Sequence, residues 1–203
     1  AGNVILTGAN SYTGGTTVFQ GTLTGTTSSL QGNIVNNATV AFDQTANGTY
    51  TGAMSGTGSL VKTGAGALML TGTNSYSGTT TVNAGTLVGN TTSLQGNILN
   101  NAAVVFDQAS NGVYAGALSG PGGLTKTGAG LLNLTGTNVV GGGTTVSGGT
   151  LAVNGSLTSN VTVGAGGAIG GTGTVVGALS IGGGTLAPGN SIGTLTVTGN
   201  FTQ

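Results

Sequence analysis

Charge is the scarcest property of this 203-residue chain, whose only charged side chains are Asp43, Asp107, Lys62 and Lys126. Glu, Arg, His, Cys and Trp are absent altogether. Without cysteine there is neither a disulfide framework nor a thiolate metal site. With two Lys and no Arg, the chain has no basic surface for nucleic acid. General acid–base catalysis needs titratable groups within mutual reach, and glycoside cleavage needs paired carboxylates. Two Asp placed 64 residues apart meet neither requirement. No catalytic, cofactor-binding or metal-ligating residue is therefore assigned. A calcium-binding repeat would require an Asp in every turn, and none recurs that often. Long apolar runs are missing as well, since Gly, Thr, Ser and Asn interrupt each one well short of the roughly 18 residues of a spanning helix.

Other absences narrow the fold. Helices are not expected, because the charged and amide helix formers Glu, Arg, Lys and Gln are missing or scarce and Gly, Thr, Asn and Ser dominate. The 45 Gly lack three-residue spacing and come with only two Pro, which excludes collagen. Hydrophobic residues make up 36% of the chain at zero net charge, the opposite of a disordered composition. Short alternating runs of Thr, Val, Ile and Leu between Gly and Asn turns predict an all-β protein.

What is present is a repeat. Residues 1–64 and 65–128 superpose without a gap and agree at 42 positions, including uncommon residues. Phe42-Asp43-Gln44 returns as Phe106-Asp107-Gln108, and Lys62-Thr63-Gly64 as Lys126-Thr127-Gly128. A fixed period marks stacked units that bury their apolar faces against one another. Strands are expected over 66–71, 79–83, 85–88, 97–99, 102–107, 112–115 and 122–126. Alternation puts Leu68 and Leu70 on one face, and Val104 with Phe106 likewise; Met69, Val105 and Asp107 face the other way. A sandwich has no reason to repeat in register, whereas a β-solenoid does. At around 20 residues per coil, 64 residues correspond to about three coils. The chain then holds nine or ten coils, a rod of about 45 Å at strand spacing. Residues 1–140 form the 64-residue repeat with a partial third copy; 141–203 continue the solenoid with shorter Gly-rich coils. The chain opens in mid-repeat and reads as part of a longer one.

Specific residues resemble a known family. The run from Gly56-Thr57-Gly58-Ser59-Leu60-Val61-Lys62-Thr63-Gly64-Ala65-Gly66 through Tyr76 to Val82 is similar to the passenger-associated transport repeat of bacterial autotransporters. A second match runs from Gly122 to Val146, and a third, truncated at its start, from Leu6 to Val18. Leu186–Gln203 resembles the late passenger segment of the same proteins. The resemblance implies a right-handed parallel β-helix displayed outside a Gram-negative cell, surface-anchored or secreted. It also implies a translocator β-barrel in the same polypeptide beyond Gln203.

Within that frame the residues to watch are few. Lys62 follows Asp43 by 19 residues, as Lys126 follows Asp107, so each pair is expected to meet across adjacent coils as an exposed ion pair worth about 0–1 kcal/mol. The alternative is a functional role such as an isopeptide link to an Asn. Leu60 and Lys62 would share a face in a regular strand, so the strand is expected to end or bulge near Lys62 and free its ammonium to solvent. Tyr12, Tyr50, Tyr76 and Tyr114 are expected to pack in repeated positions with surface hydroxyls, the alternative being platforms for sugars. Phe42 and Phe106 are core residues. Asn-rich turns suit side-chain hydrogen-bond ladders between coils. The functional expectation is a non-catalytic extracellular stalk or adhesin scaffold whose stepwise folding aids export. Alternatives are a subunit that stacks end to end into a fibre, and a β-helix whose Thr clusters bind surface glycans or ice, although those clusters do not recur on every coil.

Overall fold

The computed structural model describes residues 2–189 and 193–203; Asn190, Ser191 and Ile192 of the Leu186–Gln203 segment lie outside it. All regular structure among the described residues is β-strand, and the paired strands run parallel. The chain forms two compact units, Ala1–Ala103 and Val104–Gln203. Each is a β-solenoid, and the two comprise about ten turns, as the period predicts.

In the first unit, three parallel sheets line the coils. One runs through Asn3–Ile5, Thr22–Gly25, Thr39–Asp43, Ser59–Thr63, Thr80–Val82 and Ile98–Asn100. A second holds Gly48–Tyr50, Ala67–Leu70 and Thr86–Gly89, and a third Thr16–Val18, Ile34–Asn36 and Met54–Ser55. Register partners are 17 residues apart at Thr22 and Thr39 and 20 apart at Thr39 and Ser59. Alternation then fills the core by columns. Leu23, Val40, Leu60, Thr80 and Ile98 form one inward column, and Phe42, Lys62, Val82 and Asn100 another. All nine are buried. Each fully buried apolar side chain contributes about 1.5–3 kcal/mol of transfer free energy.

The second unit repeats the plan. One sheet comprises Leu118–Gly120, Thr137–Val140, Ser156–Thr158, Thr174–Val176 and Thr196–Val197. Another runs through Gly123–Thr127, Thr144–Val146, Val161–Gly164, Leu179–Gly182 and Phe201–Thr202. The third has Gly112–Tyr114, Leu131–Leu134, Gly149–Val153, Gly167–Gly171 and Thr185–Pro188. Inward columns include Leu124, Thr144, Val161 and Leu179, and beside them Lys126, Val146, Val163 and Ile181.

The repeat is not a whole number of coils. Val4, Leu23, Val40 and Leu60 are successive register partners, so three coils take 56 residues in the first unit. The 64-residue shift carries Val4 to Leu68, eight residues past Leu60 and onto the next sheet. In the same way Thr16–Val18 of the third sheet returns as Thr80–Val82 of the first, and Thr22–Gly25 of the first as Thr86–Gly89 of the second. One period is therefore three coils plus one face, which corrects the three coils expected. Identical residues of successive copies do not sit above one another; the ladders join unlike residues such as Phe42, Lys62 and Val82.

Candidate functional site

The Lys-Thr-Gly-Ala-Gly junction of each repeat concentrates the polar chemistry. Strand Ser59–Thr63 stays regular through Lys62, with Leu60 and Lys62 both pointing inward. Lys62 is 0% exposed, as is Lys126. Its aliphatic stem lies in the core column between Phe42 and Val82, and its head turns back to the chain. Lys62 Nζ donates to the carbonyls of Thr63 at 2.6 Å, Gly64 at 2.7 Å and Ala84, on the next coil, at 3.1 Å. Lys126 Nζ makes the same three bonds, to Thr127 at 2.6 Å, Gly128 at 2.8 Å and Gly148 at 3.0 Å. Burial pushes both ammonium groups below the usual lysine value, with Asp43 and Asp107 opposing.

This overturns the expected solvent-exposed ion pair. The coil stride at this point is 20, not 19, so Asp43 lies opposite Thr63, and Phe42 opposite Lys62. A one-residue offset reverses the face. Asp43 is accordingly exposed and accepts from Thr63 Oγ1 at 2.9 Å, and Asp107 from Thr127 Oγ1 at 3.0 Å. The ammonium finds carbonyl oxygens instead of a carboxylate, and the strand neither ends nor bulges at Lys62.

The glycines of the junction have separate jobs. Gly64 and Gly128 both adopt φ of 75°, the left-handed turn that aims their own carbonyls and the preceding ones at the ammonium. At Gly66 an added Cβ would stand 2.4 Å from the carbonyl of Ala46 on the coil before, and at Gly130 equally close to Ser110. The motif thus combines an internal cation, a left-handed turn and a close approach of two backbones.

Aromatic and amide side chains complete the frame. Phe42 and Phe106 are 0% exposed; Phe42 packs on Tyr50 with centroids 5.1 Å apart, and Phe106 on Tyr114 at 5.0 Å. The hydroxyls of Tyr50 and Tyr76 turn inward rather than to the surface. Tyr50 donates to the Gly32 carbonyl, Tyr76 shares a 2.7 Å bond with Thr80 Oγ1, and half-buried Tyr12 accepts from the Gln31 amide at 3.0 Å. Burial raises the phenol pKa of Tyr50 and of Tyr76. Tyr50, Tyr76 and Tyr114 are buried and offer no ring to a sugar.

Asn74 is the clearest of the amide devices. Its Oδ1 accepts from the Met54 amide on the previous coil at 2.8 Å, and its Nδ2 donates to the Ser93 carbonyl on the next at 2.7 Å. Asn138 repeats this between Leu118 and Ser156. At turns, Asn33, Asn47 and Asn111 each accept from the amide 20 residues later, at 2.9 Å. Sequence reasoning found this ladder from composition but not which Asn is buried.

One surface feature went unread. In the second unit Thr125, Thr145, Thr162, Ser180 and Thr202 are register partners on the outward side of one sheet, so five successive strands of that face present a hydroxyl. The Thr clusters do not recur in sequence because Ser substitutes and the flanking residues differ; register alone aligns them.

Against this geometry the comparisons are specific. The model of the family described as passenger-associated-transport-repeat matches residues 1–24, 60–88 and 124–153. Two of the three stretches begin at the strand that carries the buried lysine. These three stretches are similar to passenger-associated transport repeats. The chain is also 40% identical over 157 residues to the adhesin BmaC autotransporter of Brucella suis biovar 1 (strain 1330). That match takes in 62% of this chain and 4% of the relative, so the chain spans a small part of that protein's length. No solved structure matches.

Proposed function

We propose that the passenger segment is a non-catalytic scaffold of an adhesin-like autotransporter, displayed at the bacterial surface beside a translocator barrel of the same polypeptide. The observation that carries this reading is the coil-to-coil bonding: main-chain ladders, Asn74, Asn138 and both lysines each tie one coil to the next. Such a body grows one coil at a time, and each docked coil opposes return through an export pore. In a passenger carrying this segment on a translocator barrel, Gly66→Val and Gly130→Val together should lower the amount reaching the surface, read by antibody on intact cells. Equal surface yield from the variant and the unaltered passenger would contradict a role for coil folding in export.

The hydroxyl column favours a second reading, adhesion to neutral surface glycans. Because Lys62 and Lys126 are buried, the described surface carries no lysine or arginine side chain, which suits an uncharged partner over an anionic one. On a glycan array, Thr145→Asp with Thr162→Asp should abolish neutral-glycan signals of the folded segment. Absence of signal from the unaltered segment would remove this reading and leave the scaffold reading standing.

A further inference from the structure

We propose that the Lys-Thr-Gly turn of each repeat is a primary-ammonium binding site whose occupant is the tethered lysine, and that filling it fastens each junction to the coil that follows. Three observations meet there. The three acceptors around Lys62 Nζ are main-chain carbonyls, at 2.6, 2.7 and 3.1 Å, and the same set surrounds Lys126 Nζ at 2.6, 2.8 and 3.0 Å. An ammonium has three hydrogens to donate and no acceptor function, so three carbonyls satisfy it fully. The acceptors also come from two coils: Thr63 and Gly64 belong to the lysine's own turn, and Ala84 lies 22 residues on. The site is complete only when the following coil is docked, and beside it the Asn83 amide bonds the Lys62 carbonyl at 2.9 Å.

The placement explains why the group is lysine. An apolar side chain would fill the column between Phe42 and Val82, but would take away the donor that the inward Gly64 and Ala84 carbonyls receive, while the Thr63 carbonyl keeps the Gln44 amide at 2.9 Å. Arginine's planar fork does not match three converging oxygens around a point charge. Asp43 is the acidic side chain nearest in register, and it sits opposite Thr63 on the outward face. Strand Thr80–Val82 and the Ala84 turn bring no titratable group. Among the described residues, the junction therefore runs on carbonyl dipoles and not on an ion pair.

The proposal rests on the junction geometry and not on the export reading, and it is tested on the purified segment. In Lys62→Met, amide exchange of Asn83 and of Thr86–Gly89 should accelerate at least tenfold, while amides of the second unit stay unchanged. In Lys62→Ala, n-propylammonium chloride, which restores the deleted carbons and the nitrogen, should recover that protection at neutral pH. Sodium chloride at equal ionic strength and 1-propanol should not. Exchange in Lys62→Met within twofold of the unaltered segment would overturn the fastening role. Equal recovery by 1-propanol and n-propylammonium would show a packing site with no preference for a cation, and would overturn the proposal as well.

Discussion

Single residues show how a nearly uncharged chain handles polarity. The lysines and tyrosines make opposite contributions to the pH dependence of stability. A lysine whose folded pKa is depressed contributes stability that is present above its ordinary value of about 10.4 and lost as pH falls through the folded value. A tyrosine whose folded pKa is raised contributes stability that is present below about pH 10 and lost above it. The urea midpoint should therefore rise from pH 7 towards pH 10 and fall beyond. Replacing both lysines with Met should flatten the rise, and Tyr76→Phe should soften the fall. A midpoint that declines steadily from pH 7 would contradict the assignment. Gly64→Ala forces a side chain into the left-handed region and against the Gln44 main chain, and should cost roughly 1–3 kcal/mol or more in denaturant unfolding. Asn74→Leu keeps the heavy-atom branching but strands the Met54 amide and the Ser93 carbonyl; a loss of about 2 kcal/mol or more is expected. Tyrosine packing was legible in the sequence, but the inward hydroxyl of Tyr76 and the buried ammonium of Lys62 were not. Lys62 reads as solvent-seeking because lysine usually is; alternation with Leu60 carries it inward, and one residue of stride sets Phe42 rather than Asp43 opposite it.

At the level of elements the sequence was far more informative. Strands expected at 66–71, 79–83, 85–88 and 102–107 appear at Ala67–Leu70, Thr80–Val82, Thr86–Gly89 and Ala103–Asp107. Leu68, Leu70, Val104 and Phe106 turn inward, and Met69 outward. Period-2 alternation suffices there because one face is buried and the other is not. One strand that was missed has little propensity to announce it. Gly167–Gly171 is mostly glycine, yet its register with Gly149–Val153 and Thr185–Pro188 makes it a strand. Its glycines are required by spacing, since a Cβ on Gly170 would lie 2.1 Å from the Ala187 carbonyl oxygen. Stacking overrides intrinsic preference in such a segment. Gly170→Val should accordingly destabilise the second unit by several degrees in a thermal melt, whereas Thr162→Val, on the outward side, should shift it by no more than about 1 °C.

For the molecule as a whole, the 64-residue period established the solenoid but not its phase. Fifty-six residues for three coils and eight more for a face follow from coil strides that vary between 17 and 20, and turn lengths that sequence identity does not reveal. Each copy therefore presents its outward residues on a different face from the copy before. The central claim is that chemically unlike residues, set by stride and not by repeat identity, lie directly above one another. Because the chain has no cysteine, paired cysteines report on this cleanly. Val61 and Thr81 are outward register partners, and parallel neighbours about 4.8 Å apart fall within disulfide range. The double variant Val61→Cys with Thr81→Cys should oxidise to an intramolecular disulfide nearly completely. Val61→Cys with Asn83→Cys, two residues out of register, should remain reduced under the same conditions. Preferential cross-linking of the second pair, or of neither, would contradict the coil register on which the account depends.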